Sequence, residues 1–173
     1  MNTTSERRDP DLIRGVVAGL AGGLLASFLM EQFQALWSGI AAQITNKARK
    51  ASSGGKEPAT VKAANAILLR TWGRLLSKAK HSIAAEAVHY AVGAVSGGIY
   101  GGLAEIVPTL EAGEVFGFGA GLWLIADEVT VPALKLSKPP MAFAISTHVY
   151  GLASHLVYGW VTEQVRRAVR RAL

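Results

Sequence analysis

Apolar and polar positions fall into long blocks along this chain. Residues 1–11 are polar. Gly15 to Met30 carries no charge, and the helical pattern around it runs from Leu12 to Ile44. The linker TNKARKASSGGKEP follows over 45–58 and breaks any helix. Residues 61–80 then read as an amphipathic helix capped near Thr60. Ile67, Leu68, Leu75 and Leu76 form one face with Trp72 beside it, and Lys62, Arg70, Arg74, Lys78 and Lys80 supply the basic positions. Three more apolar blocks occupy 83–107, 115–134 and 141–162. The first is closed by Pro108, the second carries Pro132 near its end, and the third has no Asp, Glu, Lys or Arg. A basic tail, 163–173, ends the chain. A helix rises about 1.5 Å per residue and the hydrocarbon core is about 30 Å thick, so about 20 residues cross it. The pattern therefore predicts an all-α integral membrane four-helix bundle over one domain, 1–173. The transmembrane helices are 12–44, 83–107, 115–134 and 141–162. An additional amphipathic surface helix lies in the first loop, within the basic region 45–80, at an anionic lipid surface or packed on the bundle.

Small residues at four-residue spacing sharpen this picture. Gly15, Gly19, Gly23 and Ser27 lead to Glu31, and Gly93, Gly97 and Gly101 lead to Glu105. A third stripe is Gly113, Gly117 and Gly121, with Glu128 seven residues on. In water each helical glycine loses about 1 kcal/mol relative to alanine. In lipid, small residues at this spacing let helix backbones approach closely. The stripes predict close helix crossings within the chain or between copies. The expected partners are the lipid bilayer and a second copy or another membrane protein.

Composition agrees. Half the residues are hydrophobic and 17% are charged, against roughly 25% in ordinary soluble domains. Mean hydropathy is +0.28. The absence of cysteine excludes a disulfide framework and thiolate chemistry. A net charge of +6 raises nucleic acid as a partner, but the basic residues sit between and beside the apolar blocks, where membrane proteins keep them. Only Trp72 interleaves with the basic residues of 45–80, so no nucleic-acid partner is expected. Arg7, Arg8 and Arg14 precede an apolar run as in a signal peptide. That run is too long for one, and it reads as a retained first helix. Four crossings put both termini on one side. The opposite side holds slightly more Lys and Arg, which leans towards a cytoplasmic first loop.

Part of the chain resembles the YagU-like family of bacterial inner-membrane proteins, whose biochemistry is uncharacterised. The residues that carry the resemblance are Ala104-Glu105-Ile106-Val107-Pro108, Leu136-Ser137-Lys138-Pro139-Pro140, and Ser154-His155-Leu156 before Glu163 and Arg166-Arg167. The Gly/Ala/Ser rhythm from Gly19 to Phe28 is similar as well. The resemblance implies a multi-pass protein of the bacterial inner membrane with a loose association with acid stress. It brings no catalytic residues.

The ionisable residues inside the apolar blocks are the candidates for chemistry. Those near block ends, Glu31, Glu86 and Glu105, fit headgroup level, while Asp127, Glu128, His148 and His155 are deeper. His148 and His155 are seven residues apart and share a helix face. Intramembrane ionisable groups are costly and are functional candidates by default. Three readings follow. Asp127, Glu128, His148, His155, Glu86 and His89 handle or sense protons or ions, since burial disfavours the charged form of each. Alternatively, the same groups fix helix packing in a scaffold or partner subunit. Thirdly, Glu86 and His89 form a Glu-x-x-His pair, the spacing of di-iron bundles, and a metal-dependent membrane enzyme would use it. A second such pair is missing, because Ile145 and Leu152 stand where its acids would be. No metal, cofactor or catalytic residue is therefore assigned. Gly97-Gly98 and Gly101-Gly102 lack the strand and the Lys-Ser/Thr of a phosphate loop, and Ser146/His148 and Ser154/His155 diverge around a helix.

Overall fold

The computed structural model describes residues 10–44, 59–72, 81–107 and 115–173, and every regular element among them is helical. The linker 45–58, the second half of the basic amphipathic segment (73–80) and Gly113 lie outside the described residues. In order, the elements are α1 (Leu12–Ile44), α2 (Ala59–Trp72), α3 (His81–Ile106), α4 (Val115–Trp123), a π-helix (Leu124–Thr130), α5 (Val131–Ala133), a 3-10 turn (Pro140–Ala142) and α6 (Ile145–Ala172). α1 is central and packs on both α3 and α6. α4 packs on α6, and α2 packs on α3 through a face that buries Val61 and Ala64.

Asp11 starts α1. Its carboxylate accepts the N–H of Arg14 at 3.0 Å, the arrangement of an N-cap aspartate. Within α1, the segment Leu12–Ala41 is long and apolar enough to cross a membrane, and among the described helices it alone meets that measure. α3 is diluted by glycine, Glu86, His89 and Glu105, and α6 by His148, Ser154, His155 and Thr162. The third apolar block is interrupted at Trp123. By these helices, one span is given directly and a four-span bundle is not.

The centre of the fold is a meeting of backbones. A Cβ on Gly19 would fall on the carbonyl oxygen of Gly97 and lie 2.9 Å from Cα of Gly101. A Cβ on Gly97 would fall on the Gly19 carbonyl and lie 2.8 Å from Cα of Gly23. An adjoining face of α1 repeats the arrangement against α6, where a Cβ on Gly22 would stand 2.6 Å from the Thr162 carbonyl oxygen. Gly121, in the third stripe, makes no such contact within the chain: nothing lies within 4 Å of its Cβ position, whereas a Cβ on Gly119 would run into the His155 carbonyl. Two residues turn a helix by about 200°, so Gly119 and Gly121 face opposite ways and α4 meets α6 through the former.

Such close axes leave little room inside. Ala18, Ala26, Ser27, Ser154, Thr162 and Glu163 are fully buried, while Leu24, Phe28, Val92, Val95 and Ile99 are exposed. Beside a small cluster of Met30, Tyr158 and Val161, the buried positions are mostly small or polar, while many large apolar side chains face out, unlike the pattern of a water-soluble domain.

Two segments differ from the expected pattern. The block 115–134 is not one bent α-helix: it passes through a π-helical turn. Pro132 has no N–H to offer four residues back, and the Val131 N–H bonds Ala126 O, five residues back. The run then ends in a Schellman arrangement, with Leu136 N–H to Val131 O at 3.0 Å and Lys135 N–H to Pro132 O at 2.9 Å. Lys135 takes φ 57° there, a left-handed position that favours glycine. The second difference is that residues 163–173 are not a separate tail. They continue α6 to Ala172 and bury Glu163 and Arg166.

Gly97→Val should destabilise the bundle by about 3 kcal/mol or more, because its side chain meets backbone rather than a movable group. Gly121→Ala, facing open space, should stabilise it by up to about 1 kcal/mol. Denaturant unfolding in detergent followed by helicity would show both. Lys135→Gly should raise stability by about 1 kcal/mol in the same assay by removing the left-handed penalty.

Candidate functional site

The π-helix places two neighbouring carboxylates towards α6. Its wider turn brings successive residues nearer to one face than an α-helix does, and such turns recur at functional sites. Glu128 Oε1 lies 2.7 Å from His148 Nδ1, and His148 Nε2 lies 3.2 Å from the Pro140 carbonyl oxygen. Both ring nitrogens therefore face acceptors. A neutral ring donates to one of them and a protonated ring to both. Asp127 forms the second pair, with Oδ2 3.8 Å from His155 Nδ1, and that same nitrogen lies 2.9 Å from the Gly151 carbonyl oxygen. Gly151 makes room for this. A Cβ there would stand 2.9 Å from Trp123 Nε1 and 3.7 Å from Asp127 Oδ2.

Both pairs line a cavity of about 700 Å³ between α1, α3, the π-helix and α6. His89 lines it from the opposite wall, its Nε2 3.4 Å from the Ser27 carbonyl oxygen. The structure thus brings together Asp127, Glu128, His148, His155 and His89. It does not bring in Glu86, which is exposed and absent from the lining, because one turn towards the N-terminus of α3 the helix face has left the bundle. The Glu-x-x-His pair does not act as a unit, and among the described residues no three His, Asp or Glu side chains are grouped to hold a metal ion. Glu31 also stays outside the cavity and accepts the Tyr90 hydroxyl at 2.9 Å, closing the α1–α3 crossing.

A second polar cluster lies at the other end of the bundle. Glu163, fully buried, accepts Arg166 Nε at 2.6 Å and Nη2 at 3.0 Å, and also pairs with Arg167. Glu105 takes Arg170 at 2.8 and 3.1 Å and the Asp11 N–H at 3.0 Å, with Arg166 Nη1 3.9 Å away. One network therefore ties the start of α1 to the ends of α3 and α6. Sequence reasoning passed over it by treating 163–173 as a tail. The available signal was the spacing of Glu163 from Arg166 and Arg167, three and four residues on, which puts all three on one helix face. Glu163 lies just beyond the apolar block. Burial of its carboxyl acts to raise the pKa, but the hydrogen bonds and charges of Arg166 and Arg167 outweigh it and hold the group below its ordinary value.

The fold and its site define an all-helical protein with one span-length helix at its centre and an acid–histidine cavity beside it. Residues 68–164 match DUF1440, a family described as proteins of unknown function, and the chain belongs to that family. The matched stretch contains α3, α4, the π-helix and all three histidines of the cavity. No curated protein and no solved structure matches the chain.

Glu163→Gln should cost about 3 kcal/mol, because Arg166 stays buried with its nearest counter-charge removed and only the more distant Glu105 remaining. In the wild type, the folded-state pKa lies below the unfolded one. The stability it brings is therefore present above the unfolded value and is lost as pH falls through the folded value. Stability measured from pH 6 downward should fall less steeply below about pH 4.5 in Glu163→Gln than in the wild type.

Proposed function

We propose that this chain is a multi-pass protein of the bacterial inner membrane that handles or senses protons or ions through two carboxylate–histidine pairs. Its four crossings are 12–44, 83–107, 115–134 and 141–162, the last ending within α6 before Glu163. The exposed apolar side chains support this reading, since a soluble monomer rarely presents so continuous an apolar surface. Only 39% of the most apolar window of α1 is buried, less than a soluble core helix requires. The segments similar to the YagU-like family, Ala104–Pro108 and Leu136–Pro140, support the inner-membrane location. The acid-stress association that comes with that likeness is in keeping with a site that exchanges protons.

The observation that carries the proposal is the opening of both pairs, Glu128–His148 and Asp127–His155, onto one cavity. A proton arriving there has a carboxylate and an imidazole at each pair between which to be shared. Groups of this kind inside apolar segments mark proton and ion paths. The Glu105–Arg170 and Glu163–Arg166 pairs favour a different role for their own end of the bundle, where the polar groups fix helix packing.

In liposomes loaded with a pH-sensitive dye, the wild type should conduct protons after an imposed gradient, and Asp127→Asn with Glu128→Gln should abolish most of that flux. Equal flux through both proteins would overturn the proposal.

A further inference from the structure

The cavity is far larger than a proton or a bare ion requires. At about 700 Å³ it falls within the roughly 300–1,000 Å³ of small-molecule pockets. Much of its wall is apolar, including Val88, Val92, Leu122 and Ile125, and aromatic rings come from Trp123 and Tyr150. Its charged groups are few and face one another. Asp127 and Glu128 come from the π-helix, His148 and His155 from α6, His89 from α3, and Lys138 from the loop after α5. The described parts of α1 and α2 add no charged group to the lining. With the histidines neutral, the two carboxylates outnumber Lys138 and the site is negative. With the histidines protonated, its sign reverses.

With the histidines neutral this balance disfavours an anion, and the lining does not suit a dehydrated divalent cation, which needs about six oxygen ligands. A neutral apolar ligand would make no use of the two carboxylates, which already face His148 and His155. A cation carried on an apolar body satisfies both walls at once: the charge meets Asp127 and Glu128, the body meets the aliphatic lining, and the rings of Trp123 and Tyr150 offer cation–π contact. Resting on the proton-exchange reading above, we propose that the cavity binds an organic monocation, an ammonium or phosphonium with an apolar body, and that this cation and protons compete for Asp127 and Glu128.

Tetraphenylphosphonium binding to the purified full chain in neutral detergent tests this, with tetraphenylborate as a probe of the same shape and opposite charge. Saturable binding of the cation at pH 8 is expected, at least ten-fold weaker at pH 5.5, and with no saturable binding of the anion. Asp127→Asn with Glu128→Gln should weaken it at least ten-fold, and Lys138→Ala, an exposed position, should tighten it. Should the carboxylate variant fail to fold, the wild-type pH dependence still decides, because pH-independent binding overturns the proposal. Absence of saturable cation binding at pH 8, or equal binding of the two probes, also overturns it. Competition separates a soluble cation from an ammonium-bearing lipid. Displacement by tetrabutylammonium supports the first source, displacement by phosphatidylethanolamine doped into the micelles supports the second, and both support the site. If the cation does not bind while proton flux still depends on Asp127 and Glu128, the substrate class falls and the proton-handling function stands. If the flux is also unchanged by their replacement, both fall.

Discussion

The rest of this structure depends on the contact of α1 with α3 at the level of their backbones. Where Gly19 meets Gly97 and Gly23 meets Gly93 there are no side chains to hold the axes apart. α6 then closes on the adjoining face of α1 at Gly22, so that the Tyr158 hydroxyl reaches across to the Gly93 carbonyl oxygen at 2.6 Å. Where helices run this close, alanine, serine and threonine fill the contact, and Leu24, Phe28, Val92 and Val95 are left facing outward. In water both choices would be unfavourable, because glycine weakens an isolated helix and exposed apolar surface promotes association. In a bilayer the outward apolar groups are solvated, and close packing holds the helices together.

The polar interior divides into two regions of opposite character. At the end formed by Asp11, Glu105, Glu163 and the arginines of α6, each carboxylate is gripped by guanidinium groups whose charge is permanent. That arrangement is fixed over the physiological range and suits a tie between three helices. Around the cavity the partners of the carboxylates are imidazoles, whose charge, unlike that of a guanidinium, is not permanent. The same bundle thus carries an ionic clamp at one end and two carboxylate–imidazole pairs beside an open volume.

Much of the fold was legible because helical periodicity is local. The four-residue spacing of glycines assigned Gly15, Gly19 and Gly23 to one face of α1, and Gly93, Gly97 and Gly101 to one face of α3. The seven-residue spacing likewise put His148 and His155 on one face of α6. The same reasoning could not tell that Gly121 faces open space within the chain, since a stripe does not say which side of a helix its neighbour occupies. It missed the π-helix because the insertion of one residue into a turn leaves no trace in hydropathy, although Pro132 marked the place where the hydrogen-bond ladder had to change. It also missed the depth of Glu163 and Arg166, since charged residues at a chain end read as solvated until another helix is seen to cover them.

By itself, the sequence determined that the chain is helical, that its apolar blocks are long, that its helices carry faces of small residues, and which ionisable groups lie inside those blocks. These follow from periodicity and from the cost of placing charge among apolar residues, which neighbours along the chain already express. Only the tertiary structure decided which carboxylate meets which cation. Glu128 with His148, Asp127 with His155, and Glu105 with Arg170 join residues 20 to 65 positions apart. Those pairings depend on helix rotation and register, which are set by packing between helices and cannot be read from either helix alone.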